Sequence, residues 1–574
     1  MMKSSGIFIL FLLTICISDA ITFREVVVIP RGSWYRTFGF DTDHDGRENL
    51  VFSTSITPFN IQFWEYVGFD QYFPEDSAPD SWLYDIGYLD TDSLVDMVGN
   101  ENGIWPYPLY VYESPTYNSN PTNIVWQDSG FMNIYGGYIT DLDQDGLKEI
   151  LFGYYDFEGP HTCVYENIGD NQYLLVWEDT INPFYGGING DFDLDGKMEF
   201  ITPWGGYPGV IQIHIWECCG NNNYESVFTG MLPHGSAEVF KGNDMDGNGK
   251  PELLVTCVSY HYGKAWLYLY EAVGDNNYDF FLVDSITNIP GSMWGHVSSC
   301  GDIDADGREE IVWSTFNQWH VYKATGVHQY QKIYSSDWTY NTATYITVYD
   351  LNRNGYPEVI EAGRPNHILI WEIQGVKILQ PNYGYILHPG ENYQIIWQKF
   401  DPPGADSFAL FFSSDSSNTY DTIAMGIPGN DTTYQWIVPD IISDSCKIMI
   451  WAYGPPRPGE NTPRGIACDF GDFKIRPLGI EMDKRYEIRD VSLKILQNPV
   501  SGRNLKIQYA IPRPVKVRLA IYNVLGQVER ILVDEFKSSG IYESNLNENL
   551  PNGIYFIQLK TQEKIITRKI IKLR

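Results

Sequence analysis

One ten-residue pattern recurs seven times, and its spacing limits the fold more than any other property of the chain. The copies read DTDHDGRENL (41–50), YLDTDSLVDM (88–97), DLDQDGLKEI (141–150), DFDLDGKMEF (191–200), DMDGNGKPEL (244–253), DIDADGREEI (302–311) and DLNRNGYPEV (350–359). Their starts lie 47, 53, 50, 53, 58 and 48 residues apart. A period in this range means a propeller, a solenoid or an array of small units. An apolar run such as Ile150-Leu151-Phe152 follows each copy, and some fifteen residues later comes an aromatic-Glu pair. These pairs are Trp64-Glu65, Tyr112-Glu113, Tyr165-Glu166, Trp216-Glu217, Tyr270-Glu271 and Trp371-Glu372, with Tyr322-Lys323 in that place in the sixth copy. Turn residues follow in several copies, as in ENIGDNQY and EAVGDNNY, and then another apolar segment. Each unit therefore holds four short strands, and seven such units describe a β-propeller. The 17 Trp, 41 Tyr and 52 Gly agree with strands and turns rather than helix bundles.

The last unit, ending near 374, lacks its fourth strand, and the extra run REVVVIP (24–30) precedes the first unit. We expect that run to complete the seventh blade, which would hide an edge open to aggregation.

The repeated loop has the form DxDxDGxxE. Acids at positions 1, 3 and 5 converge only if the backbone curls, and Gly at position 6 permits the turn. The acid at position 9 closes the set. Several hard oxygens without His or Cys select Ca²⁺ or Mg²⁺, and mixed flexible coordination favours Ca²⁺. The expected ligands are Asp41, Asp43 and Asp45; Asp90, Asp92 and Asp96; Asp141, Asp143, Asp145 and Glu149; Asp191, Asp193, Asp195 and Glu199. They continue with Asp244, Asp246, Asn248 and Glu252; Asp302, Asp304, Asp306 and Glu310; and Asp350, Asn352, Asn354 and Glu358. The first loop has Asn49 at position 9 with Glu48 beside it. The second begins with Tyr88 and has Ser93 where Gly belongs, which makes it the weakest copy.

These loops resemble FG-GAP/VCBS repeats of integrin-type propellers and bacterial surface proteins, over roughly residues 21–374. The resemblance implies that each loop joins the first two strands of a blade and holds Ca²⁺ on one face. It does not fix a function, because the family spans adhesion proteins, lectins and domains appended to enzymes.

The formal net charge is −34. Residues 478–574 carry 17 Lys/Arg against 10 Asp/Glu, a net +7, which leaves −41 for the rest. Such an acidic body argues against nucleic acid, whose phosphates need basic contacts. It suits cations, neutral sugars or basic partners. Residues 1–20 read as a secretory signal peptide: Lys3, an apolar run from Ile7 to Ile17, then Ser18 and Ala20. No later stretch is long and apolar enough to span a membrane. Export permits disulfides, and Cys446 and Cys468 are the most plausible pair.

Aromatics precede or follow the first two strands of many units. Trp34, Trp82, Trp105, Tyr135, Tyr185, Trp204 and Trp294 are candidate ligand-binding residues on the face opposite the acidic loops. Flat rings beside amides suit sugars or protein side chains, although such rings also pack between blades. No GxSxG, HExxH or phosphate loop occurs. Non-catalytic adhesion to a glycan or surface protein is therefore the leading expectation. The alternative is a secreted carbohydrate-active enzyme, a glycoside hydrolase or polysaccharide lyase, with its acids on the aromatic face.

Past Val376 the period ends. Residues 376–475 alternate in strand-like runs and predict an immunoglobulin- or fibronectin-like β-sandwich with Trp397 and Trp436 in its core. A polar linker, 476–490, leads to 491–574. There Asn498-Pro499, YNVLGQ (522–527), LPNGIYFIQL (550–559) and the basic end TRKIIKLR resemble the C-terminal sorting domain of the type IX secretion system. That resemblance implies passage across an outer membrane through the secretion machinery, to the surface or the medium. The expected architecture is all-β: a seven-bladed β-propeller followed by two Ig-like β-sandwich modules.

Overall fold

The computed structural model describes residues 21–572 apart from short segments, the longest being 101–106, 181–187, 205–210, 288–297, 456–463, 478–490 and 496–504. The expected signal peptide, 1–20, and Asn498-Pro499 lie outside the described residues. The described secondary structure is strand throughout, and none of it is a helix able to cross a membrane. The chain divides into two compact units, 1–476 and 477–574.

The first unit contains seven four-stranded antiparallel sheets, which we number in chain order. Sheets 1 to 6 span 33–78, 82–131, 133–179, 189–232, 236–287 and 298–335. Sheet 7 takes three strands from 342–373, and its fourth is Phe23–Ile29. That strand runs antiparallel to His367–Ile373, from Phe23 opposite Ile373 to Ile29 opposite Ile368, as the orphan run REVVVIP suggested.

Burial follows strand position. The second strands Asn49–Thr54, Asp96–Asn100 and Glu310–Ser314 are buried at every residue because neighbouring sheets cover both faces. Such strands read as continuous apolar runs rather than as alternations. The fourth strands are far less covered, and Gln172–Asp179 and Phe23–Ile29 have one buried residue each. Each sheet shares a buried cluster with the next. Val51 and Phe63 of sheet 1 meet Met97 and Tyr112 of sheet 2, and Val98 of sheet 2 meets Phe152 of sheet 3. Sheet 7 packs back on sheet 1 through Ile360 and Ile370 against Leu50 and Phe52. The hydroxyls of Thr37 and Thr347 bridge the same two sheets at 3.0 Å. Gly39 lies so close under the Tyr349 ring that a Cβ there would stand 2.1 Å from it.

Residues 376–475 form a three-stranded and a five-stranded sheet around one core that holds Trp397 and Trp436, as expected. The same core continues into Val312, Trp319 and Val359 of sheets 6 and 7. The expected Cys446–Cys468 disulfide is not formed. In the pairing of Ser443–Gly454 with Arg464–Ile475, Cys446 stands opposite Phe473 and Cys468 opposite Trp451, too far along the ladder to meet.

The second unit has a three-stranded and a four-stranded sheet with its own core, including Ile507, Tyr509, Leu519 and Ile557. The basic strand Ile565–Lys572 lies at the edge of the four-stranded sheet.

Candidate metal centres

Each acidic pattern joins the first two strands of its sheet, and we number these loops 1 to 7 with their sheets. One hydrogen-bond scheme builds them. The N–H of position 2 donates to the side-chain oxygen at position 9 in every loop, from 2.6 Å (Leu142 to Glu149) to 3.0 Å (Ile303 to Glu310). The N–H of position 7 donates to position 5, as from Leu147 to Asp145 at 2.8 Å. Position 6 has a left-handed backbone, with φ of +93° at Gly146 and +94° at Gly196. An added Cβ would touch nothing at either glycine, so the requirement is conformational and not spatial. Ser93 holds the same turn in loop 2 at φ +71°.

The scheme satisfies one oxygen of an acid and turns another inward. Glu149, Glu199 and Glu252 are fully buried, and the Oε1 of each has no hydrogen-bond partner. Asp141 Oδ1 and Asp191 Oδ1 are likewise buried and unpartnered. In loop 3, Asp141, Asp143, Asp145 and Glu149 bring ligand oxygens within 4.8 Å of one another, and Asp191, Asp193, Asp195 and Glu199 do so in loop 4. Burial first, and then the loop aspartates, push Glu149 and Glu199 up to about 8. Glu252 and Asp96 rise to about 8 for the same reasons. Buried hard oxygens that resist ionisation unless a cation joins them fit Ca²⁺ or Mg²⁺ by donor chemistry.

The next sheet completes each of loops 2 to 5. The N–H groups of Asn171, Asn222, Asn276 and His328 donate to the position-3 acids Asp90, Asp143, Asp193 and Asp246, at 3.1, 2.9, 2.7 and 2.7 Å. All four donors sit in hairpin turns with positive φ. Their side chains reach the Glu of the aromatic-Glu pair: Asn171 to Glu113, Asn222 to Glu166, Asn276 to Glu217 and His328 to Glu271. The sequence pattern alone missed both partners. The recurring Glu was visible as a repeat mark, but the turn Asn lies some eighty residues downstream of its acid. In loop 2 the cluster is Asp90, Asp92, Glu113 and Asp170, so two acids from outside the pattern join it.

Other copies depart from the scheme. In loop 1, Asn49 Oδ1 accepts from the Thr42 N–H and its Nδ2 donates to Glu75, while Glu48 turns away to Arg353 at 2.6 Å. Asp41, Asp43 and Asp45 still cluster there. In loop 5, Asn248 Nδ2 donates to Glu271, so its amide adds a donor to that contact. In loop 6, Lys323 Nζ stands 2.5 Å from Asp304, 2.7 Å from Asp306 and 3.2 Å from Glu310. In loop 7, Asn352 and Asn354 donate to Glu372 at 3.2 and 2.7 Å, and Arg24 pairs with Glu372 at 3.2 Å. Glu358 is raised by burial and by Glu372 and Asp350 nearby.

Of the aromatic candidates, Trp105, Tyr185 and Trp294 lie outside the described residues. Trp34, Trp82, Tyr135 and Trp204 lie in strands at the ends away from the acidic loops, where Trp82 faces Asn100 and Tyr135 faces Gly153. Trp82 is half-buried.

An FG-GAP-like repeat model matches residues 244–313 and 302–361, which hold loops 5 to 7. A secretion system C-terminal sorting domain model matches 494–573. No curated protein matches the chain. Among solved structures, fibronectin(III)-like modules of Clostridium thermocellum CbhA are 14% identical, cover 34% of this chain and 93% of that one, and give a TM-score of 0.13. Bacteroides uniformis β-glucuronidase 3 is 12% identical over 34% of this chain and 24% of that one, with a TM-score of 0.15. The FN1–FN3 domains of chicken CNTN1 are 9% identical over 59% and 98%, with a TM-score of 0.14. Scores this low carry no argument. The two family models do: this is an exported protein with FG-GAP-like repeats and a type IX C-terminal sorting domain, which engages the secretion machinery and directs the chain to the cell surface or the medium.

Proposed function

We propose that sheets 1 to 7 are the blades of a closed propeller, that calcium in the acidic loops clamps neighbouring blades, and that the protein is a non-catalytic binder of glycan or surface protein. One observation carries the calcium reading. The acids of loops 2 to 5 are completed by a turn of the following sheet, so an ion held there ties two sheets together. Extracellular modules of this kind bind Ca²⁺ with Kd around 10⁻⁴–10⁻³ M. The packing of sheet 7 on sheet 1 supports closure. In this reading the acids belong to the scaffold and recognition falls to the opposite strand ends, where Trp34, Trp82, Tyr135 and Trp204 lie.

A glycan array probed with the full chain, with and without chelator, tests the binding role. Calcium-dependent retention that Trp82→Ala reduces supports it, and turnover of a polysaccharide supports a carbohydrate-active enzyme instead. Deleting 21–30 tests closure. Loss of Phe23–Ile29 should lower the thermal midpoint substantially, and an unchanged midpoint contradicts the closed ring.

A further inference from the structure

Loop 6 matches the acidic pattern at every position, with Asp302, Asp304, Asp306, Gly307 and Glu310, and the FG-GAP-like match includes it. Its interior is nevertheless arranged differently from loops 3 and 4. In those loops the position-5 N–H donates to the position-3 acid, as from Asp145 to Asp143 and from Asp195 to Asp193, each at 3.2 Å. In loop 6 the Asp306 N–H goes to Asp302 instead, and Asp304 swings to Lys323.

Loop 6 also lacks a neighbouring contact that loops 2 to 5 share. Loops 2 to 5 each receive an N–H from the hairpin turn between the third and fourth strands of the next sheet. Loop 6 looks to sheet 7, and sheet 7 has no such hairpin. Its third strand, His367–Ile373, continues into Val376–Gln380 of the sandwich, and its fourth strand comes from Phe23–Ile29. Among the described residues, no turn amide reaches Asp304. At the place where six other sheets carry Glu, sheet 6 carries Lys323, whose ammonium contacts the acids at positions 3, 5 and 9.

Basic residues near loops 3 to 5 behave otherwise. Lys148 reaches Asp141 at 3.6 Å, Lys197 reaches Asp195 and Glu217, and Lys250 reaches Glu271 at 3.7 Å. None of them contacts the buried position-9 carboxylate. Lys323 does, and the Glu310 side chain it meets has no exposed surface.

We infer that Lys323 is the resident cation of loop 6, so that this copy takes no divalent ion and is held together independently of calcium. The ammonium cancels one of the carboxylate charges and occupies the space between Asp304, Asp306 and Glu310, so a divalent ion would have to displace it and break three contacts to enter. The inference rests on the reading of the other loops as cation sites.

The test counts calcium bound to the full chain by native mass spectrometry and measures thermal midpoints in chelator. Wild type and Asp304→Asn should bind the same number of ions, and Lys323→Glu should bind one more. In chelator, Lys323→Gln should lower the midpoint by roughly 5 °C, because it strands buried carboxylates, while Lys323→Arg should keep most of the wild-type value. A lost ion in Asp304→Asn overturns the inference. So does an unaltered count in Lys323→Glu while other loops bind calcium, or an unaltered midpoint in Lys323→Gln. Should no variant bind calcium, the calcium reading fails on its own, and the chelator arm still decides the role of Lys323.

Discussion

Loops 3 and 6 share a sequence pattern and differ in what neutralises them. Loop 3 encloses Glu149 with an unpartnered oxygen and takes its neighbouring contacts from Asn222 of the next sheet. Loop 6 encloses Glu310, whose Oε1 likewise accepts no hydrogen bond but lies 3.2 Å from the Lys323 ammonium of its own sheet. The pattern fixes backbone curl and the direction of the acids, because Gly at position 6 and the position-2 to position-9 hydrogen bond are local. It does not fix the charge balance, which depends on residues about twenty and eighty positions away. Two copies can thus share one pattern and differ in which neighbouring groups meet their acids.

The largest expected separation comes from chelation at pH 8. Removing calcium at 100 times Kd should cost about 2.7 kcal/mol for each loop that binds it. The thermal midpoint of the full chain should fall by well over ten degrees if several loops act, and loop 6 should contribute nothing to that fall.

Acidity sharpens the same contrast. In chelator the folded position-9 acids hold their protons up to about 8, whereas an ordinary Glu releases its proton near 4.5. The unfolded chain therefore binds fewer protons across this window, and stability should fall as pH rises from 4.5 to 8. Calcium requires the deprotonated ligands, so its stabilising effect should grow over the same interval. Midpoints measured at pH 5 and pH 8, with and without calcium, check both signs. Glu310, beside Lys323, is raised only to about 7.

Single substitutions should give smaller effects of opposite sign. Glu149→Gln removes a buried charge that only a cation balances. It should cost about 2 kcal/mol of calcium-dependent stability, yet raise or preserve the midpoint in chelator. Lys323→Gln should do the reverse, lowering the midpoint in chelator. Asn222→Ala leaves the backbone N–H to Asp143 but loses the donor to Glu166 and places a Cβ residue without Asn's local bonding at φ +55°. We expect a loss of about 1 kcal/mol in denaturant unfolding.

Much of the scaffold was legible because its signals are short-range. The fifty-residue period, the turn chemistry and the orphan strand at 24–30 foretold seven four-stranded sheets and the pairing of Phe23–Ile29 with His367–Ile373. Trp397 and Trp436 fell in the sandwich core because alternation with Pro and Gly turns marks half-buried strands. The acids of loops 3 and 4 converge as the spacing required. Contacts set by the arrangement of neighbouring sheets were not legible. Asn171, Asn222 and Asn276 looked like ordinary turn residues, and Glu113 and Glu166 like strand ends. Cys446 and Cys468 are near in sequence but stand opposite other residues in the ladder. Lys323 was visible as the one exception in the aromatic-Glu series. Its meaning emerged only once the missing hairpin of sheet 7 was in view.

The central claim is that the acidic loops are cation clamps between sheets. Calcium titrated into the metal-free full chain, with bound ions counted by native mass spectrometry, tests it most directly. The account predicts several ions at millimolar calcium, the loss of one in Glu149→Gln and of another in Glu199→Gln. A chain that binds no calcium at that concentration, or whose two variants each bind as many ions as the wild type, would contradict the account.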